Sequence, residues 1–117
     1  MAHLGMVLQT GPYTYENADT VVKLADTALA EGHEVSIFLY IDGVIAANKN
    51  IDTPDERNLN QLLQALADKG AAIAACGACS KFRGITDEAF ADDIEMGSIV
   101  DFADMLMEVD AVINFAM

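Results

Sequence analysis

Two cysteines three positions apart, Cys76 and Cys79, are the residues of this chain best suited to covalent chemistry. A thiolate attacks sulfur and carbonyl centres, and local charge and hydrogen bonding set how much of it forms. The segment that carries them reads Cys76-Gly77-Ala78-Cys79-Ser80-Lys81-Phe82-Arg83. If it turns into a helix, Cys76 lies at the helix start, where unpaired backbone N–H groups favour a thiolate. Lys81 and Arg83 add positive charge to a chain that is otherwise strongly acidic. The competing reading is a buried, inert core cysteine. On the residues alone both stand.

Cys79 has three readings. With Cys76 it makes C-x-x-C, the pattern of a redox dithiol, although the flanks lack a thioredoxin-type context. It is also half of a zinc site, which needs two more ligands. His3 and His33 precede the first two predicted strands and therefore fall at the opposite edge of a sheet, so no metal site is expected. Third, Cys79 is a small apolar helix residue, or a thiol that now and then resolves its neighbour.

The elements that position these residues emerge from apolar spacing. Leu4–Leu8 reads as a first strand, ending at Thr10-Gly11-Pro12. Ala18, Val21, Val22, Ala25 and Ala28 mark one face of a helix over Asn17–Ala30, with Asn17 as its cap and Gly32 as its stop. Val35–Tyr40 is a second strand and Ile41–Asp52 a loop. Thr53-Pro54-Asp55-Glu56 carries a capping box and predicts a helix start there, running to Gly70. Ala71–Ala75 is a third strand leading into Cys76. A short helix over Thr86–Ala91, a weak strand over Ile94–Gly97, a helix capped by Ser98 and a strand over Ala111–Phe115 complete the chain. Strands that alternate with helices predict an α/β fold, a mostly parallel sheet covered on both faces.

Ligands of such sheets bind beyond the carboxyl ends of the strands. That edge gathers Thr10, Gly11, Pro12, Tyr13 and Tyr15 after the first strand, then Tyr40, Asp42 and Gly43, then Cys76 and Cys79. No phosphate loop is present, since neither G-x-G-x-x-G nor G-x-x-x-x-G-K-[ST] occurs. Gly11-Pro12 makes a tight turn. Tyr13, Tyr15 and Tyr40 line a pocket or pack in an interface. A carboxylate beside Cys76 would oppose its ionisation, so Asp42 is read as a hydrogen-bond acceptor or structural residue. Asp101, Asp104 and Glu108 form a stripe on the last helix that a solvated outer face explains.

Composition narrows the class. A chain of 117 residues suits one domain, 1–117, and 53% hydrophobic residues suit a folded one. The net charge of −13 argues against a direct nucleic-acid or anionic-membrane surface. No apolar run reaches the roughly 20 residues that span a bilayer, and the start, Met1–Met6, reads as a strand rather than a signal peptide. Two thiols without an export signal fit a reducing, cytoplasmic compartment.

Larger pieces then fall into a known order. Thr10-Gly11-Pro12-Tyr13, Gly32-His33-Glu34, Phe38-Leu39-Tyr40, Asp42-Gly43-Val44 and Ala47-Asn48 are succeeded by Cys76, Arg83-Gly84-Ile85 and Asp87-Glu88. Gly97 and Val112-Ile113-Asn114-Phe115 close the series. Together they resemble the DsrE/DsrF/TusD family of sulfur-relay proteins over the whole chain. The resemblance implies a three-layer α/β/α fold with a five-stranded, largely parallel sheet, and a homo- or hetero-oligomer, often a trimer or hexamer. It implies that Cys76, spaced from Arg83-Gly84 as the carrier cysteine of those proteins is, accepts sulfane sulfur as a persulfide and passes it to a partner thiol. In TusD this serves thiolation of the tRNA wobble uridine, and in DsrE sulfur oxidation. Arg83 would stabilise anionic forms, and Cys79 would resolve or protect the persulfide. Sulfur donor and acceptor proteins are the implied partners, with no metal or organic cofactor. The resemblance departs at Cys79 and Lys81, where those relatives carry small residues. The alternatives are a non-catalytic oligomeric or binding subunit of a DsrE-like complex and a Cys76/Cys79 dithiol redox protein.

Overall fold

The computed structural model describes residues 1–116. Five strands, β1 (His3–Leu8), β2 (Glu34–Leu39), β3 (Ala72–Cys76), β4 (Glu95–Gly97) and β5 (Ala111–Phe115), form one sheet in the order β4-β3-β2-β1-β5. Every pairing among them is parallel. Four α-helices connect or succeed the strands: α1 (Asn17–Ala30), α2 (Leu59–Asp68), α3 (Gly77–Phe82) and α4 (Ile99–Glu108). The α/β class and the strand number agree with the sequence reading.

The order of strands decides the layers. From β1 to β4 the chain steps across the sheet in one direction, and β5 then returns to the far side of β1. Crossovers between parallel strands are nearly always right-handed, so reversing the direction of travel moves the connecting helix to the other face. Accordingly α1 packs against α2 on one face, while α4 crosses the other and contacts β1 and β4. Successive strand residues point to opposite faces. On β2, Phe38 stacks on Phe102 of α4 with ring centroids 4.8 Å apart.

The core lies mainly under α1 and α2. Met6, Leu8, Val21, Ala25, Ile37, Leu39, Leu59, Leu63 and Leu66 are buried there or in the strands. The α4 face is thinner. No residue of α4 is buried, and β5 is exposed at four of its five positions.

Two boundaries differ from the sequence reading. Helix α2 begins at Leu59, not at Thr53, and Asn58 caps it by accepting the Gln61 N–H at 3.2 Å. Thr53–Glu56 is a turn with Glu56 N–H on the Thr53 carbonyl, and Asp55 has φ +58°, which ends the helical path that the capping-box pattern suggests. Asn17 is the first residue of α1 rather than its cap, and its side-chain amide donates to Thr10 Oγ1 at 3.0 Å. The expected loop after β2 contains a 3₁₀ turn over Ile41–Ala47.

Candidate functional site

The register fixes where the chemistry sits. Leu8 pairs with Leu39, Leu39 with Ala75, and Cys76 with Gly97, so the carboxyl ends of β1 to β4 are level. The segments that leave these strands therefore meet at one edge.

Cys76 ends β3 and caps α3. Its thiol sulfur accepts the Cys79 N–H at 3.5 Å, and its carbonyl accepts Ser80 Oγ–H at 2.7 Å. Ser80 is fully buried, so this bond locks the turn from strand to helix. Gly77 backs onto β4, where a Cβ would stand 3.1 Å from Met96. Cys76 itself is 8% exposed, and Cys79, one turn on, is the more accessible thiol. Both cysteines are free.

Helix α3 then stops sharply. Ile85 N–H reaches the Ser80 carbonyl at 2.9 Å and Gly84 N–H the Lys81 carbonyl at 3.1 Å. This pair of bonds makes a Schellman cap, which needs a left-handed residue after the helix; Gly84 supplies it with φ +70°. The cap turns Arg83 back across the helix. Its Nη1 donates to the Cys79 carbonyl at 3.0 Å, while Nε and Nη2 donate to Asp42 Oδ1 at 2.8 and 2.7 Å. Asp42 thus stands on Arg83 and not on a thiol, and Arg83 lies over the Cys79 side of the pair.

The 3₁₀ turn after β2 forms the other wall. Ile41 has φ +56°, a region that β-branched residues rarely enter, at a cost of about 1–3 kcal/mol. In that conformation its N–H donates to Cys79 Sγ at 3.3 Å. Gly43 makes the turn possible. A Cβ there would lie 2.0 Å from the Leu8 carbonyl oxygen, so no other residue fits without moving β1. Burial raises the Cys79 pKa, and the hydrogen bond with Cys76 raises it further; the Ile41 N–H and the Arg83 charge pull the other way.

The tyrosines do not join this cluster as one patch. Tyr13 OH accepts the Leu59 N–H at 3.0 Å and donates to the Arg57 carbonyl at 3.2 Å, and the Arg57 guanidinium lies 5.2 Å from its ring centroid. Tyr13 therefore ties the end of β1 to the start of α2. Tyr40 stacks on Phe102 at 6.1 Å, toward α4. Tyr15 is exposed. His3 and His33 lie at the amino end of the sheet, His3 on Ser36 Oγ at 2.7 Å and His33 on the Ala2 N–H at 3.0 Å.

Two grooves flank these features. One, of about 320 Å³, adjoins α3 and is lined by Lys81, Gly84, Ile85, Thr86, Asp87 and Met96. The other, of about 310 Å³, runs beside α4 over β2–β4, with Asp101, Asp104 and Glu108 in its wall and neither cysteine. The acidic stripe thus borders a groove as well as solvent. Two residues of the site, Ile41 and Ser80, escape a reading of the sequence. Asp42-Gly43 carries a turn signal, but nothing in residue type marks Ile41 as left-handed or Ser80 as the lock on Cys76.

Known proteins resemble this chain over most of its length. The model of the DsrE/DsrF-like family matches residues 2–115. An uncharacterized protein of Methanopyrus kandleri is 39% identical over 110 residues, covering 94% of this chain and 91% of that protein. Sulfurtransferase TusD of Klebsiella pneumoniae is 37% identical over 93 residues, covering 76% of this chain and 73% of that protein. The crystal structure of the YchN protein of Escherichia coli superposes with a TM-score of 0.90 at 25% identity, covering 98% of this chain and all of that one, 100%.

Proposed function

The chain belongs to the DsrE/DsrF-like family, and on that premise we propose that it is a sulfur-relay protein whose Cys76 carries sulfane sulfur. A donor persulfide is attacked by the Cys76 thiolate, which takes the outer sulfur as Cys76–S–SH and releases the donor as a thiolate. An acceptor thiolate on a partner protein then attacks the outer sulfur and restores Cys76. The supporting observation is the seat of the thiol. Cys76 stands at the carboxyl edge of a parallel sheet, hydrogen-bonded through its sulfur to the Cys79 N–H and fixed through its carbonyl by buried Ser80. Cys76 is only 8% exposed, and a buried thiol suits a group that must reach a chosen acceptor intact. The name of the TusD relative fits the same chemistry.

Assembly is part of the proposal. Ile99 (60%), Val100 (63%) and Met107 (86%) of α4 and Val112 (42%) of β5 are exposed apolar residues on neighbouring elements. An edge strand beside exposed apolar side chains is a usual subunit contact. We assign this flank to contacts within a homo-oligomer, a trimer or hexamer, acting as one domain in the reducing cytoplasm. Among the described residues no helix is long and apolar enough to cross a membrane.

Burial of Cys76 also favours a second reading, a non-catalytic subunit whose thiol is merely packed. Incubation of the Cys79→Ser chain with glutathione persulfide, then intact mass, separates the two. One added sulfur is expected, and none in Cys76→Ser/Cys79→Ser. Equal loading of both chains, or loading of neither, would sink the carrier reading.

A further inference from the structure

Cys79 is built into the site more elaborately than a small helix residue requires. Its sulfur receives the Ile41 N–H at 3.3 Å, from a residue held in the left-handed region. Its carbonyl is held by Arg83, itself fixed by Asp42. Its own N–H is on the Cys76 sulfur at 3.5 Å. Burial and the Cys76 thiol disfavour the Cys79 thiolate, and a backbone donor aimed at its sulfur with a guanidinium beside it works against them. Neither feature is needed to bury a thiol.

From this geometry we infer that Cys79 is the resolving thiol of the Cys76 persulfide, so that the chain, on its own, reduces bound sulfane sulfur to sulfide. The inference rests on the carrier reading above. The Cys79 thiolate, its proton given up to solvent, attacks Cys76 Sγ. The bond between Cys76 Sγ and the outer sulfur breaks, and the outer sulfur leaves as HS⁻ with the electron pair. A Cys76–Cys79 disulfide remains. The sulfane sulfur is reduced by two electrons and the dithiol is oxidised by two, so the sulfur itself is the oxidant. A dithiol reductant then resets the pair.

The spacing allows the closure. Residues three apart on a helical turn hold their Cβ atoms roughly 5–6 Å apart. A disulfide needs roughly 3.5–4.5 Å. A backbone adjustment at the first turn of α3 closes the difference, and rotation about χ1 of each cysteine then brings the two sulfurs together. The release of sulfide then competes with transfer to a partner thiol, and the outcome depends on how fast the Cys79 thiolate forms. Cys76, Arg83 and the Ile41 N–H are the groups that act on it, and Asp42 is bonded to Arg83. Raising the pH increases the thiolate and favours sulfide release.

The test uses the full chain, fully reduced, with glutathione persulfide as donor and no other thiol. The parent is expected to end two hydrogens lighter than the reduced chain, with about one sulfide released per chain. Cys79→Ser, or Cys79→Ala in its place, is expected to keep one added sulfur and to release none. If the parent holds the added sulfur as stably as Cys79→Ser and yields no sulfide, the resolving role is overturned and the carrier reading survives. A glutathione adduct on Cys79→Ser would trace the sulfide to the donor and overturn the resolving role as well. If Cys79→Ser takes up neither group, the carrier reading falls and this inference with it.

Discussion

The cysteine edge and the α4–β5 flank are opposite in construction. At the edge, Cys76, Cys79, Ser80, Arg83, Asp42 and the Ile41 N–H are bonded into one network across β3, α3 and the 3₁₀ turn. At the flank, α4 buries no residue and β5 is largely exposed, while their apolar side chains face outward. One region uses backbone strain and a mandatory glycine to fix atoms in place. The other leaves apolar surface exposed among the described residues. Chemistry needs the first arrangement and association the second.

Substitutions can break that comparison. The largest effect is expected at the flank. Val100→Asp with Met107→Asp should convert the proposed oligomer to monomer in light scattering while the proposed sulfur uptake by Cys76 stays within about twofold, since charged groups at an apolar contact typically cost several kcal/mol. Assembly that survives both charges would remove the flank from the interface. At the edge, Gly43→Ala should cost on the order of 2–3 kcal/mol in urea unfolding, because its Cβ overlaps the Leu8 carbonyl. Gly11→Ala, whose Cβ would meet Asp42 at an ordinary 3.8 Å, provides the matched control and should stay within about 0.5 kcal/mol. Equal costs would show that the 3₁₀ turn is not seated against β1 as described.

A pH profile sharpens the same contrast. Burial and contact with Cys76 disfavour the Cys79 thiolate, so its alkylation in a Cys76→Ser chain should depend on which of these is removed. In the parent, trapping of Cys79 should still be rising above the pH at which an ordinary thiol has levelled off. Arg83→Ala removes the smaller of the two influences that favour the thiolate, and should displace the profile to higher pH and slow alkylation near neutrality. Arg83→Lys should recover part of that loss. The smallest effect is expected from Asp42→Asn. Its ion pair with Arg83 is half exposed on the Asp42 side, so stability should fall by less than about 1 kcal/mol.

Much of the architecture was legible because its signals are local. Apolar runs such as Val35–Leu39 and stripes such as Leu59, Leu63 and Leu66 announce themselves within a few residues. The start of α2 misled for the same reason. Thr53-Pro54-Asp55-Glu56 has the local chemistry of a helix start, but the Leu59 N–H is claimed by Tyr13 from the end of β1 and the cap falls to Asn58. Tertiary contacts decided there. In the site, Cys76, Cys79, Arg83 and Asp42 stand out in the sequence, and the topology explains why: each lies at or just past a strand end, or in or just after the helix that follows one. Their pairing was not legible. Arg83 and Asp42 are 41 positions apart, and only the level register of β2 and β3 brings them together. Nor does the sequence announce that Arg83 holds the Cys79 carbonyl. The flank escapes notice in the sequence because the stripe Asp101, Asp104 and Glu108 draws attention to the charge of α4, while Ile99, Val100 and Met107 lie on its other sides.

The most direct measurement locates the sulfur. Trypsin cleaves after Lys69 and Lys81, so both cysteine positions fall in one peptide, Gly70–Lys81. The Cys79→Ser chain, loaded with glutathione persulfide and capped by an alkylating agent, is digested and fragmented. Fragments that break at Gly77 or Ala78 assign the added sulfur to one side or the other. The sulfur is expected on Cys76. An unmodified Cys76 in that peptide, with Cys79 of the Cys76→Ser chain loaded instead, would contradict it.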